Sequence, residues 1–241
     1  MKSDVLERKY YYSKPGWRNG TKEFHDLVTG FIVPEKSTVL EIGPGPENKT
    51  SAFLASRAAR LDGLDIDERA RTNPSLNSAL IYDGGLFPLE GESYDVVVAD
   101  YVMEHVEDPQ LMLDEISRVM RPGGFFVFRT PNIYHYVSLV SRFTPYTFHR
   151  LTANRARQRE VDAVDPYPTF YRFNSLRTVC AIAERSALRE IEMLMVEKQP
   201  SYLKFNPWAF CCGVLYERFV NSTQMLAGLR SNIFGVLEKE A

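Results

Sequence analysis

The chain has 241 residues, with 29 Lys and Arg against 31 Asp and Glu, a net charge of −2. That length suits one large α/β domain with a substantial core, and the balanced charge gives no general attraction to nucleic acid or anionic membranes. Three cysteines (Cys180, Cys211, Cys212) cannot make a disulfide framework, and adjacent Cys211 and Cys212 read as helix-face residues rather than metal ligands.

Met1-Lys2-Ser3-Asp4 is polar, which predicts no signal peptide. Thr38 to Ile42 is a short apolar run ending in Gly43-Pro44-Gly45, the pattern of a buried strand feeding a tight turn. Thr50 to Ala59 reads as a helix with Asn48 or Thr50 near its cap. Strands follow at Arg60 to Asp65, Ala79 to Tyr82 and Tyr94 to Ala99, the last rich enough in valine to be buried on both faces. Pro109 to Met120 carries a helical stripe of Leu111, Leu113, Ile116, Val119 and Met120, which Arg121-Pro122-Gly123-Gly124 stops. Phe125 to Arg129 is the fifth strand. Thr130 to Phe173 is aromatic, basic and proline-rich, too long for a plain connection and therefore a functional elaboration. A helix at Asn174 to Ser186, a strand at Leu188 to Val196, a mostly helical Pro207 to Leu229 and a strand at Asn232 to Glu238 complete the pattern. The longest apolar stretch, Trp208 to Tyr216, is too short to span a bilayer, so a cytoplasmic protein is expected.

Strands alternating with helices predict a doubly wound, mostly parallel sheet. Such a sheet binds ligands outside the carboxyl ends of its strands, where strand order reverses. The glycine loop stands there, and Asp65 lies 20 residues beyond Gly45, the spacing of an acid that meets a ribose diol. A dinucleotide loop would carry glycine at position 48, which is Asn48, and Glu47 would repel a pyrophosphate but tolerate a cationic cofactor.

Val39-Leu40-Glu41-Ile42-Gly43-Pro44-Gly45, Gly63-Leu64-Asp65-Ile66-Asp67, Tyr94 to Ala99, Glu104-His105-Val106 and Arg121-Pro122-Gly123-Gly124 occur in order. Together they resemble the class I S-adenosylmethionine-dependent methyltransferases, in their small-molecule branch. The resemblance implies a Rossmann-like α/β fold. Its sheet would have seven strands with the last antiparallel, and a lid would be inserted after strand five. It divides one domain into an N-terminal cap (1–37), a cofactor core (38–130), a lid (131–173) and a C-terminal completion of the sheet (174–241). It implies S-adenosylmethionine as cofactor, held by Glu41, Gly43, Gly45, Asp65, Ile66, Asp83, Gly84, Asp100, Tyr101 and His105. Among these, Asp83 would meet the adenine amino group and the Asp100 carbonyl the ammonium.

No metal-ligand spacing is visible, so no metal is expected. In the family the acceptor pocket comes from the N-terminus and the segment after strand five, both aromatic here. His135 and His149 are the candidate general bases, with Tyr134 as an orienting donor. Arg150, Arg155, Arg157 and Arg159 form a basic run that could hold a phosphate, a sugar acid or a lipid headgroup. The expected reaction is methyl transfer to an oxygen or nitrogen of a small-molecule, glycan or lipid-linked acceptor. Competing readings are a quinone or lipid C-methyltransferase touching a membrane through the lid, a non-catalytic adenosyl-binding module, and a nicotinamide-dependent oxidoreductase.

Overall fold

The computed structural model describes residues 2–143 and 167–240. Seven strands form one sheet: β1 (Thr38–Ile42), β2 (Arg60–Asp65), β3 (Ser78–Ile81), β4 (Tyr94–Asp100), β5 (Met120–Pro131), β6 (Leu188–Val196) and β7 (Asn232–Lys239). Their order is β3-β2-β1-β4-β5-β7-β6, parallel from β3 to β5 and antiparallel where β7 lies between β5 and β6. From β1 the chain winds outward to β3, then returns to place β4 on the other side of β1. Val39 thus lies between Leu61 of β2 and Val96 of β4. Strand order reverses at this pair, which opens a crevice at the carboxyl ends of β1 and β4.

The described helices are α1 (Ser3–Glu7), α2 (Gly20–Thr29), α3 (Lys49–Ala55), α4 (Pro109–Val119), α5 (Tyr136–Phe143), α6 (Leu176–Arg185) and α7 (Pro207–Asn221). α4 begins at Asp108, whose Oδ1 accepts from Gln110 N and Leu111 N at 3.1 Å each, with Pro109 preset for the first turn. It buries Leu113, Ile116 and Val119 of the expected stripe together with Met112, while Leu111 is only half-buried. α6 starts after Ser175, which caps Thr178 N. α3 stops at Ala55, short of the expected Ala59. The helix expected to reach Leu229 ends at Asn221, where Thr223 instead caps a 3₁₀ segment at Gln224–Leu229.

Arg121 to Gly124 lies within β5 as an irregularity instead of preceding the strand. Tyr94 pairs with Met120 and Val96 with Phe125, so the Pro-Gly-Gly stretch leaves the ladder and returns. α1, a π-helical turn at Arg8–Tyr12, α2 and α5 lie in stretches that the sequence offers mainly as aromatic clusters.

The chain divides into two compact units. One comprises residues 21–130, 169–194 and 233–241, and contains nearly the whole sheet. Its core includes Val96, Val97, Val98, Phe126, Phe128 and Phe234, all at most 1% exposed. The other comprises residues 1–20, 131–168 and 195–232. There Leu6, Tyr11, Phe210 and Val214 form a small buried cluster, with Tyr10, Trp17 and Cys211 against it. The Tyr11 hydroxyl donates to Glu217 Oε2 at 3.3 Å, and burial together with that carboxylate pushes its pKa well above the usual tyrosine value.

Asp108→Ala removes the acceptor for two first-turn amides of α4. It is expected to lower stability by about 1 kcal/mol, read as a reduced urea midpoint with an unchanged slope.

Candidate cofactor site

The loop after β1 is shaped by two left-handed glycines, Gly43 at φ 68° and Gly45 at φ 61°. A Cβ at Gly43 would stand 2.6 Å from Val102 Cγ2, whereas one at Gly45 would meet nothing within 4 Å. The loop is therefore tight against β4's continuation at its first glycine and open at its second. Three side chains hold it. Asp65, at the end of β2, accepts from Gly45 N at 2.8 Å through one oxygen and from Asp67 N at 2.9 Å through the other. Asn73 donates to Gly45 O and Ser51 Oγ, both at 3.1 Å. Asn48 accepts from Ser51 N at 2.7 Å as the cap of α3, and its amide donates to Pro44 O at 2.6 Å and Glu41 Oε1 at 3.2 Å. The residue that breaks the three-glycine pattern is thus a brace of the loop.

Glu41 is 1% exposed. Its Oε2 is buried and, among the described residues, accepts no hydrogen bond. Burial raises its pKa to about 7, with the Ser51 hydroxyl and then the Asn48 amide pulling the other way. A buried carboxylate with one oxygen unanswered favours a cationic or N–H-rich neighbour.

Across the crevice, Asp100 ends β4 and Arg129 lies near the end of β5, paired in register. The guanidinium holds the carboxylate through Nε and through Nη2, the latter at 2.8 Å. It also donates to Thr21 Oγ1 at 3.2 Å and lies 4.9 Å from the Phe24 ring centroid and 4.6 Å from that of Tyr101. Thr50, in the first turn of α3, donates to Asp100 Oδ2 at 2.6 Å. With that hydroxyl proton committed, His25 Nε2, 3.1 Å from Thr50 Oγ1, is the donor of the pair. The imidazole is stacked on Phe53 at 4.1 Å, and burial followed by the Arg129 charge lowers its pKa.

Residues 40–128 match a family model described as a methyltransferase domain. A probable S-adenosylmethionine-dependent methyltransferase of Mycolicibacterium smegmatis is 38% identical over 128 residues, 51% of this chain and 49% of that one. Residues 40–128 are thus similar to the methyltransferase domain of S-adenosylmethionine-dependent enzymes. A ubiquinone biosynthesis O-methyltransferase of Rhizobium etli is 32% identical over 91 residues, covering 38% of this chain and 32% of that one. The YcgJ protein of Bacillus subtilis shares the fold, with a TM-score of 0.59, 16% identity and coverage of 92% and 99% of the two chains. This chain spans half or less of the curated relatives it matches.

The family's cofactor is S-adenosylmethionine, and the loop fits it on two counts. The unanswered Glu41 oxygen suits a molecule bearing an ammonium and a sulfonium, and Gly45 leaves room for close approach. Around the loop, Ile66 is 50% exposed. Asp83 is exposed and accepts from Gly85 N at 2.9 Å, beside Gly84 at φ 93°. Tyr101 takes a left-handed φ of 57° that a tyrosine rarely adopts, and its N–H donates to Arg129 O at 3.0 Å. His105 Nε2 lies 4.0 Å from Glu104 Oε1.

Two of the proton-handling candidates, His135 and Tyr134, belong to the other unit. His135 is 4% exposed, its Nδ1 accepting from Val137 N at 3.4 Å. Its Nε2 is 3.3 Å from Glu197 Oε2 without hydrogen-bond alignment. Tyr134 is 56% exposed. His149 and the run from Arg150 to Arg159 lie outside the described residues.

Sequence reasoning missed His25, Thr50, Asn73 and Arg129. Arg129 did carry a signal, as a charged residue closing the apolar run Phe125-Phe126-Val127-Phe128.

Arg129→Met strands the Asp100 carboxylate and is expected to cost about 3 kcal/mol of stability, measured by urea unfolding. Glu41 keeps its proton to about pH 7 in the folded chain, but releases it near the ordinary glutamate value of 4.5 when unfolded. Ligand-free stability should therefore fall between those pH values, by about 3 kcal/mol. Glu41→Gln should abolish that decline, read as a flat melting temperature across the same window.

Proposed function

We propose that this chain transfers a methyl group from S-adenosylmethionine to an oxygen of a small-molecule or lipid-linked acceptor. The observation that carries the reading is the buried, unanswered Glu41 oxygen beside a glycine loop clamped by Asp65. A bound S-adenosylmethionine supplies an activated methyl on a sulfonium. The chain's own part is to bind, align and exclude water. Glu41 would answer the cofactor's cationic end. Asp65 would accept from the ribose hydroxyls with lone pairs left after its two backbone bonds, and Asp83 would meet the adenine. Asp100, fixed by Arg129 and Thr50, would hold its backbone carbonyl steady for the ammonium.

The relative named as a ubiquinone biosynthesis O-methyltransferase supports oxygen over nitrogen as the methyl acceptor. Of the described groups proposed to assist at the acceptor, Tyr134 is the open one. His135, enclosed with Tyr136 and Tyr216 at 4.1 and 5.6 Å, is better suited to anchoring its segment beside Glu197. His149 remains in the proposal as a base. No cluster of three potential metal ligands occurs among the described residues, and no described helix is long and apolar enough to cross a membrane.

Isothermal titration with S-adenosylmethionine should give saturable heat, and Asp65→Ala should weaken binding at least about tenfold by removing both a charge-assisted acceptor and the loop clamp. Cofactor affinity should rise as pH passes through about 7, because binding a cation beside Glu41 requires its proton to leave. Absence of saturable binding by folded protein would end the methyltransferase reading. Tight binding with no labelled methyl passed to any fraction of a cell extract would leave an adenosyl-binding module.

A further inference from the structure

α7 is apolar on two faces. Phe210, Val214 and Val220 are buried, on the side where Gly213 and Glu217 also lie. On the other side Trp208, Cys212, Leu215 and Phe219 follow at intervals of four, three and four residues, which places them along one stripe. All four are exposed, Trp208 at 82%, Leu215 at 69% and Phe219 at 60%. Phe205 before the helix is 62% exposed and Met225 after it 93%. Scattered apolar residues on a surface need no explanation, but a continuous aromatic and aliphatic stripe does.

Charge says what covers it. Outside residues 144–166, the unit that contains α7 carries ten Lys and Arg against four Asp and Glu, in a chain whose overall net charge is −2. Three of its four acids, Glu7, Glu197 and Glu217, are buried, leaving Asp4 as its one exposed carboxylate among the described residues. Arg218, beside Phe219, is 46% exposed. An outward apolar stripe on a cationic unit matches an anionic bilayer surface, where rings and aliphatic chains enter the interface and cations meet headgroups. A second copy would bring like charges together, and a nucleic acid would leave the stripe wet.

We propose that the exposed face of α7 docks this protein on an anionic lipid surface. The contact is interfacial and uses none of the residues of the cofactor loop. It is read without cofactor, so its failure and the failure of the methyltransferase reading are distinguishable.

The test uses the full chain and vesicles of phosphatidylcholine alone or with roughly a third phosphatidylglycerol. The protein should float with the anionic vesicles, with a partition coefficient at least about tenfold above that for neutral ones, and high salt should reduce it. Leu215→Glu with Phe219→Glu should lower partitioning at least about tenfold, while Val33→Glu, at an exposed position in the other unit, should leave it unchanged. Lipids brominated on their acyl chains should quench tryptophan fluorescence of the unaltered protein, a readout that stands if the double variant fails to fold. Absence of flotation and quenching overturns the proposal, as does a folded double variant that binds like the parent. A parent dimer that the double variant breaks, without vesicle binding, assigns the stripe to self-association instead. RNA binding without vesicle binding likewise overturns the lipid assignment.

Discussion

The carboxylate of Asp65 draws together two backbone N–H groups, one from the loop after β1 and one from the turn after β2. Strand pairing brings these segments near each other, since Ile42 is in register with Leu64. Pairing answers Gly43 N through Leu64 O but not Gly45 N, and an unpaired amide away from water is costly. Asp65 answers Gly45 from one side, while Asn73 takes its carbonyl and Asn48 takes that of Pro44. The loop is thereby shaped before any ligand arrives, which reduces the ordering cost that binding would otherwise carry.

Polar groups in this crevice are satisfied mostly by one another. Arg129 is buried, and its guanidinium is met by Asp100, by Thr21 and by the faces of Phe24 and Tyr101. A buried ion pair seldom adds much net stability, but it fixes geometry, because neither partner can move without stranding the other. The left-handed backbone of Tyr101 follows the same logic, its strain held in place by the N–H bond to Arg129 O. Against this background the unanswered Oε2 of Glu41 beside the loop stands out.

The strands of the core were legible because each is a short apolar run closed by a breaker. β1, β2 and β6 have the bounds that Thr38-Ile42, Arg60-Asp65 and Leu188-Val196 suggest. β5 was harder, since Pro122-Gly123-Gly124 reads as a stop and yet sits inside the strand as an excursion. The glycines and Asp65 could be read from spacing and resemblance. The group of Thr50, Asp100, Arg129 and His25 could not, because its bonded neighbours are 25 to 50 residues apart and meet only through the sheet. Net charge concealed another feature. The near balance of 29 against 31 averages a cationic unit with an acidic one.

The position of β7 has a consequence for how the chain reaches this structure. Residues 232–239 are the last strand in sequence, yet they lie between β5 and β6. Until they are synthesised, β5 and β6 each present an unsatisfied edge, and Phe128 lacks Gly235, against which its ring fits too closely for any side chain there. Before they emerge the sheet would stop at β5, and β6 would have no strand beside it, the condition that invites pairing with a stranger. The sheet is closed by a strand that slots in between two made before it.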